Sequence, residues 1–318
     1  MSDQANSQSS SLQNSSTRRR VLIVGGVAGG ASCAARLRRL DESVEIVMFD
    51  RGPYVSFANC GLPYYVGNVI SDERKLLMAS REMFRERFNI EVQTESEVTR
   101  IDRNARTITV RDVRTSNTRM ERYDALVLSP GAAPIRPPLP GVDRPGVFAV
   151  RTIPDSRRIR SWIADHSAKT AVVVGGGFIG LEMVENLVHR DLSVAILEKL
   201  PQVMPPLDPE MAIPLMEHLV AKGVLLHLGD GLARIEEGDD GGLVVVAESG
   251  GRLPADLVIL AIGVRPETTL AKDAGLEIGP RGGIVVDAQM RTSDPNIWAV
   301  GDVVEVQDVL TGQETVLP

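Results

Sequence analysis

Cysteine is nearly absent: the 318-residue chain holds two, Cys33 and Cys60. Two thiols cannot build a disulfide framework, and they suit a reducing cytoplasm. Long apolar runs are missing too. None approaches the ~20 residues that a membrane-spanning helix needs, and no apolar stretch near the N-terminus marks a secretory signal. An excess of positive charge is also lacking. The net charge of −7 gives no electrostatic support to nucleic-acid binding. A cytoplasmic protein with neither membrane nor nucleic-acid partner is the expectation. An apolar content of 43% and a charged content of 24% are those of a globular protein. The length suits one large or two medium domains. Residues 1–18, "MSDQANSQSSSLQNSSTR", are too polar to bury anything and read as a disordered tail.

Two stretches repeat one pattern. "RRVLIVGGVAGGASCAARLRRLDESVEIVMFDR" (19–51) and "KTAVVVGGGFIGLEMVENLVHRDLSVAILEK" (169–199) each run from a buried apolar strand through a glycine turn into a helix. Each then enters a second apolar strand that ends in an acid. Each is a βαβ unit of a parallel sheet, so the chain reads as α/β with two nucleotide sites. Between them, residues 91–112 alternate apolar and polar and read as antiparallel strands. A buried strand in residues 123–141 runs into a Pro-Gly-rich turn that suits a domain boundary.

The second turn matches GxGxxG at Gly175, Gly177 and Gly180. The first glycine makes the tight turn, the second lets backbone approach a pyrophosphate, and the third lets helix and strand pack closely. The helix N-terminus then offers N–H groups to phosphate. Glu198, ending the next strand, suits a ribose 2′-hydroxyl and would repel a 2′-phosphate. NADH is therefore favoured over NADPH, with Lys199 weakening the preference. The first turn keeps Gly25 and Gly30 and has Val27 at the middle glycine position; Asp50 is its acid.

The remaining signal is "SFANCGLPYYVG" (56–67), in which Cys60 has no partner cysteine nearby. Taken in order, the glycine turn, "SFANCGLPYY", "LVLSPGA", "GGGFIGLE", "AIGVRP" and "NIWAVGD" resemble the FAD-dependent pyridine nucleotide-disulfide oxidoreductases. Within them they resemble the single-cysteine branch of coenzyme A-disulfide and persulfide reductases. The resemblance implies two Rossmann-like domains, parallel sheets with antiparallel crossover strands. An FAD domain would be split over 19–150 plus 265–318, with an NAD(P)H domain at 151–264. It implies FAD on Gly25, Gly30 and Asp50, with Ser129, Gly131 and Asp302 beside the flavin nucleotide. NADH would lie on the second unit, with Gly263 closing over the nicotinamide side; no metal is implied.

By the same resemblance, Cys60 is the redox-active residue and rests as a mixed disulfide with coenzyme A or as a persulfide. A helix starting at Cys60, with Pro63 in its first turn, would favour the reactive thiolate. Small neighbours, Ala58 and Gly61, would let the thiol lie against a planar ring, and Ser56 and Asn59 would orient it. Ser32, Arg36 and Arg39 match positions that hold coenzyme A. Cys33, among small residues of the first helix, reads as core packing. The family also has a C-terminal interface domain that forms a homodimer, and the chain reads as truncated before it. Rival readings are an NADH oxidase or peroxidase cycling through a sulfenic acid, and a flavin carrier or redox sensor without thiol turnover.

Overall fold

The computed structural model describes residues 18–239 and 241–316; most of the expected disordered tail thus lies outside the described residues. Two five-stranded parallel sheets organise it. The first has the order Ile297–Ala299, Ala125–Leu128, Arg20–Val24, Glu45–Phe49, Glu91–Gln93. The second has the order Leu225–Leu228, Ser193–Glu198, Thr170–Val174, Leu257–Leu260, Val147–Phe148.

Both sheets are covered on two faces, so their inner strands are apolar at successive positions rather than at alternate ones. In the first, Val21, Ile23, Ile46 and Met48 pack against Ala31 and Ala34 of the Gly29–Leu40 helix. Their neighbours Leu22, Val24, Val47 and Phe49 face the other way, against Val98, Ile101, Ile108 and Val110. Those four residues belong to a three-stranded antiparallel sheet, Ser96–Asp102, Thr107–Asp112 and Thr118–Arg122. The second sheet repeats the sandwich. Ala171 and Val173 meet Met183, Val184 and Leu187 of the Phe178–Val188 helix and Ile159 and Ile163 of the Ile153–Asp165 helix. Val172 and Val174 meet Leu232, Ile235 and Val245 of a second antiparallel sheet. The chain is thus α/β with two Rossmann-type units. A ribbon of Ala132–Pro134 against Val264–Pro266 links them.

Two local expectations are corrected. Glu91–Gln93 is not antiparallel: it pairs in parallel with Val47–Phe49 at the sheet edge, and the antiparallel sheet starts at Ser96. A short edge strand buries one face only, so its alternation imitates that of its neighbours. No α-helix starts at Cys60 either. Asn59–Gly61 is a 3₁₀ turn, and the α-helix begins at Leu62 with Pro63 in its first turn. Among the described residues, no helix is long and apolar enough to cross a membrane. None of their His, Cys, Asp and Glu side chains form a group of three or more suited to a metal ion.

Close approach at the glycine turns locks each helix onto its sheet. A Cβ on Gly30 would lie 1.8 Å from the Gly25 carbonyl oxygen, and one on Gly180 would lie 2.0 Å from that of Gly175. Backbone cannot yield as a flexible side chain does, so Gly30→Ala and Gly180→Ala should each cost about 1–3 kcal/mol or more. A Cβ on Gly177 meets nothing within 4 Å, and Gly177→Ala should cost at most about 1 kcal/mol, as a weaker helix cap. Urea unfolding of the three variants checks this order. Equal stability of Gly177→Ala and Gly180→Ala would contradict it.

Candidate functional site

The two glycine turns are built alike, bond for bond. In the first, Asp50 accepts from the Gly26 N–H at 2.9 Å and the Gly52 N–H at 2.7 Å. In the second, Glu198 accepts from the Gly176 N–H at 2.6 Å and the Leu200 N–H at 2.8 Å. Each carboxylate holds its turn to the end of the neighbouring strand. The carbonyl of the second glycine then accepts a loop N–H at 2.8 Å, from Ser56 in one unit and Met204 in the other. Both of those residues have positive φ, 46° and 50°. Gly25 and Gly175, at φ 96° and 107°, abut the carbonyls of Ser129 and Ala261, each just past the strand paired on the other side. Only glycine takes this conformation cheaply. Burial pushes the Asp50 carboxyl above its ordinary range, against the pull of the Gly26 and Gly52 N–H groups and the cations Arg51 and Arg151.

Beside the first turn opens a cleft of about 700 Å³. Gly25, Asp50, Asn59, Ser129, Gly131 and Asp302 line it, together with Val27 at the middle glycine position. The volume and the glycine and carboxylate lining suit a dinucleotide. Ser129 donates its N–H to the Val24 carbonyl at 2.7 Å, which fixes the strand end over the turn. Gly131, at φ 72°, passes its carbonyl to the Glu267 N–H at 2.9 Å. Asp302 is exposed and follows Gly301, at φ 81°. The reading from sequence missed Arg51, Tyr54, Arg151 and Glu267, which also line the cleft. Arg151 donates to the Pro130 carbonyl at 2.9 Å and lies 3.9 Å from Glu267. No motif marks these positions, since the fold assembles them from three distant segments.

In the second unit, a Cβ on Gly177 would meet nothing within 4 Å, so the backbone there is open to approach. Phe178 beside it is 64% exposed. Lys199 turns aside to Glu248 at 3.2 Å. Gly263, exposed at φ 112°, accepts the Ile135 N–H at 3.0 Å within the linking ribbon.

Cys60 is exposed, next to the cleft-lining Asn59. Its segment is anchored on the first unit through the Ser56 N–H to the Gly26 carbonyl and the Met78 N–H to the Ser56 carbonyl at 2.7 Å. It is anchored on the second unit through Val66, which is fully buried in that unit's core. Gly67 packs there so tightly that a Cβ would lie 2.2 Å from the Asn186 amide oxygen. Gly61 is small for a different reason from the one expected. Leu76 and Ile70 occupy the space its side chain would need, so its smallness serves packing beneath the thiol. The charges of Glu185 first, then burial, Glu182 and Cys60, raise the Tyr64 hydroxyl above its ordinary value. Glu185, Glu182 and Cys60 thus lie near enough to Tyr64 to act on its hydroxyl, and sequence reading singled out none of Tyr64, Glu182 and Glu185. The "GGGFIGLE" motif contains Glu182, but its nearness to Tyr64 is set only by folding.

The structure does not bring Ser32, Arg36 and Arg39 into the cleft lining. All three are exposed on the Gly29–Leu40 helix. Arg39 bonds the Ala35 carbonyl at 3.1 Å, and Arg36 has no hydrogen-bond or ion-pair partner among the described residues. Arg38 between them is buried and ties the helix to the Phe88 and Asn89 carbonyls, both at 2.8 Å. Cys33 packs against the first core, and burial raises its thiol above the ordinary value.

The two thiols should therefore differ sharply in reactivity, because thiolate and access both govern alkylation. Iodoacetamide at neutral pH should label Cys60 at least about tenfold faster than Cys33. A raised thiol deprotonates later, so Cys33 labelling should climb only at a pH more alkaline than an ordinary thiol requires. Peptide mass mapping over a pH series reads both sites. Equal labelling at neutral pH would contradict the assignment.

The comparisons with known proteins agree with this architecture. The family model described as pyridine nucleotide-disulphide oxidoreductase matches residues 19–315. A protein of Methanocaldococcus jannaschii named NADH oxidase is 38% identical over 296 residues, 93% of this chain and 65% of the relative. A coenzyme A disulfide reductase of Staphylococcus epidermidis is 36% identical over 281 residues, 88% of this chain and 62% of the relative. The crystal structure of reduced Bacillus anthracis CoADR-RHD superposes with a TM-score of 0.92 at 49% identity, covering 95% of this chain and 54% of that one. The chain thus spans less than two thirds of the length of these relatives. With two Rossmann-type units, a cleft beside the first glycine turn and a lone thiol at their junction, it belongs to the pyridine nucleotide-disulphide oxidoreductase family.

Proposed function

We propose that the protein is a flavoprotein oxidoreductase that passes electrons from NADH, through FAD, to Cys60 and on to coenzyme A disulfide or a persulfide. One observation carries the reading: an exposed cysteine, with no second thiol beside it, is held by both nucleotide-binding units at the edge of the dinucleotide-sized cleft. A redox cysteine that lacks an internal partner needs a partner from its substrate. Coenzyme A disulfide and persulfides both present such a sulfur.

The residues divide the work. Gly25, Gly30 and Asp50 hold the adenosine and pyrophosphate half of FAD, while Ser129, Gly131 and Asp302 border its flavin half. Gly175, Gly177, Gly180 and Glu198 hold NADH, with Gly263 on the nicotinamide side. The Cys60 thiolate attacks one sulfur of the substrate disulfide. A Cys60–substrate disulfide forms, the substrate S–S bond breaks, and the first thiolate leaves with its electron pair. FAD, when bound, supplies the electron pair that cleaves this mixed disulfide, having taken it as hydride from NADH. The second thiolate leaves, and Cys60 returns to the thiolate. Ser56 and Asn59 orient the adduct. Ser32, Arg36 and Arg39 offer an exposed basic helix face to the coenzyme A phosphates, along which charge-assisted bonds form.

The similarity to a relative named NADH oxidase supports a second reading, in which Cys60 cycles through a sulfenic acid and reduces oxygen or peroxide. Cys60→Ser decides between mechanisms. It should retain bound FAD and NADH-dependent dye reduction, since neither needs a thiol. Coenzyme A disulfide reduction should fall to background. Intact-protein mass spectrometry of the untreated chain should show a coenzyme A or sulfane adduct on Cys60. A sulfenic acid alone, with oxygen as the sole acceptor, would move the protein to the oxidase reading. Undiminished disulfide reduction in Cys60→Ser would overturn both.

A further inference from the structure

The Cys60 segment is fastened to the second unit by a polar network that the chemistry above does not use. Glu73 lies at its centre. Its carboxylate accepts from Tyr54 Oη at 3.1 Å and from Tyr65 Oη at 3.2 Å. Arg157, on the Ile153–Asp165 helix of the second unit, meets the same carboxylate with a fork. Nε reaches Oε2 at 3.1 Å and Nη2 reaches Oε1 at 2.7 Å. Nη2 also donates to Tyr54 Oη at 2.8 Å. One turn along, Arg160 lies over the Tyr65 ring, 4.1 Å from its centroid, and donates to the Tyr65 carbonyl at 2.6 Å. Arg190 reaches the Val66 carbonyl at 3.4 Å. Two arginines of the second unit thus bond the short helix that follows Cys60, and a third, Arg157, reaches its Tyr65 through Glu73.

The network also touches the cleft, because Tyr54 lines it. Tyr54 therefore belongs both to the lining of the cleft and, through its hydroxyl, to the Glu73–Arg157 pair. A bidentate arginine–carboxylate pair fixes direction as well as distance, and only a fraction of its geometry survives replacement by lysine. A pair placed solely for stability would not need to gather tyrosines from both sides of the thiol.

We propose that Glu73 and Arg157, with Tyr54 and Tyr65, are positioning residues that hold the Cys60 turn in register with the cleft and with the second unit. This inference rests on the reading of Cys60 as the reactive thiol. Were FAD bound in the cleft, any contact between it and Cys60 would depend on where this turn is held. The network therefore governs how Cys60 sits against bound FAD while leaving FAD binding itself to the glycine turn. Arg157 supplies the second unit's half of the grip and Glu73 the first unit's half.

The test uses the full chain as Arg157→Ala, Arg157→Lys and Glu73→Gln, with Arg144→Ala, which breaks a surface pair to Glu237, as a control. Without added cofactor, hydrogen exchange of the amides in residues 56–67 should rise about tenfold in Arg157→Ala, the scale of one lost charge-assisted bond. Iodoacetamide labelling of Cys60 should change with it, while that of Cys33 stays constant. With FAD added, the native chain should show the long-wavelength absorbance of a thiolate lying against flavin. Arg157→Ala and Glu73→Gln should bind FAD yet lose that band, and Arg157→Lys should restore part of it. Unchanged exchange in residues 56–67 would overturn the clamp, whatever the spectra show. Raised exchange with the band intact would reduce the network to a structural tie and overturn the positioning role. Raised exchange with no band in the native chain would instead overturn the reading of Cys60 beside FAD, and the inference with it.

Discussion

A carboxylate that grips a glycine turn organises both halves of this molecule. Asp50 and Glu198 each end a central strand, and each accepts one N–H from the turn and one from the chain two residues on. That grip draws the first strand, the turn and the second strand into one rigid corner. The helix can then start close to the strand, because Gly30 and Gly180 carry no side chain to hold it away. Everything that approaches a nucleotide phosphate is positioned by these corners. The cost is visible at Asp50, whose burial pushes its carboxyl upward despite two N–H donors and two nearby arginines. A buried acid held this way is kept for its hydrogen bonds.

Function enters where one segment must satisfy both units. The stretch around Cys60 starts on the glycine turn of the first unit and ends with Val66 inside the core of the second. Neither unit alone would define the position of the thiol. Anchored on both, Cys60 stays exposed while Leu62, Pro63, Tyr65, Val66 and Gly67 after it are buried. This arrangement explains how a single thiol, without a partner in the chain, is presented at the edge of a cofactor cleft. It also explains why small residues recur here: Gly61 yields space to Leu76 and Gly67 to Asn186.

The two βαβ units were legible from sequence because their signals are local: an apolar strand, a glycine turn, and an acid within a few tens of residues. Gly175, Gly177, Gly180 and Glu198 stand where that pattern puts them, as do Gly25, Gly30 and Asp50. Short range also explains the misses. Glu91–Gln93 alternates like the antiparallel strands after it, and only its partner, Val47–Phe49, reveals the parallel pairing. The turn at Cys60 is 3₁₀ because Leu62, not Cys60, is the first residue with a full helical turn ahead of it. Glu73 and Arg157 lie 84 positions apart, and no period or motif links them. Arg36 and Arg39 were singled out and Arg38 was not, yet Arg38 carries the structural load of that helix. Charge on a helix face does not tell which residue turns inward.

The central claim is that Cys60 stores an electron pair alongside the flavin, and an anaerobic reductive titration tests it most directly. FAD-loaded protein, isolated with its native thiol adduct, is titrated with NADH and followed by flavin absorbance and thiol release. If the account holds, full reduction consumes one NADH more per flavin than in Cys60→Ser. That extra equivalent is taken up first, with release of one small thiol from Cys60. Identical NADH uptake by the two proteins, with no thiol released, would contradict it.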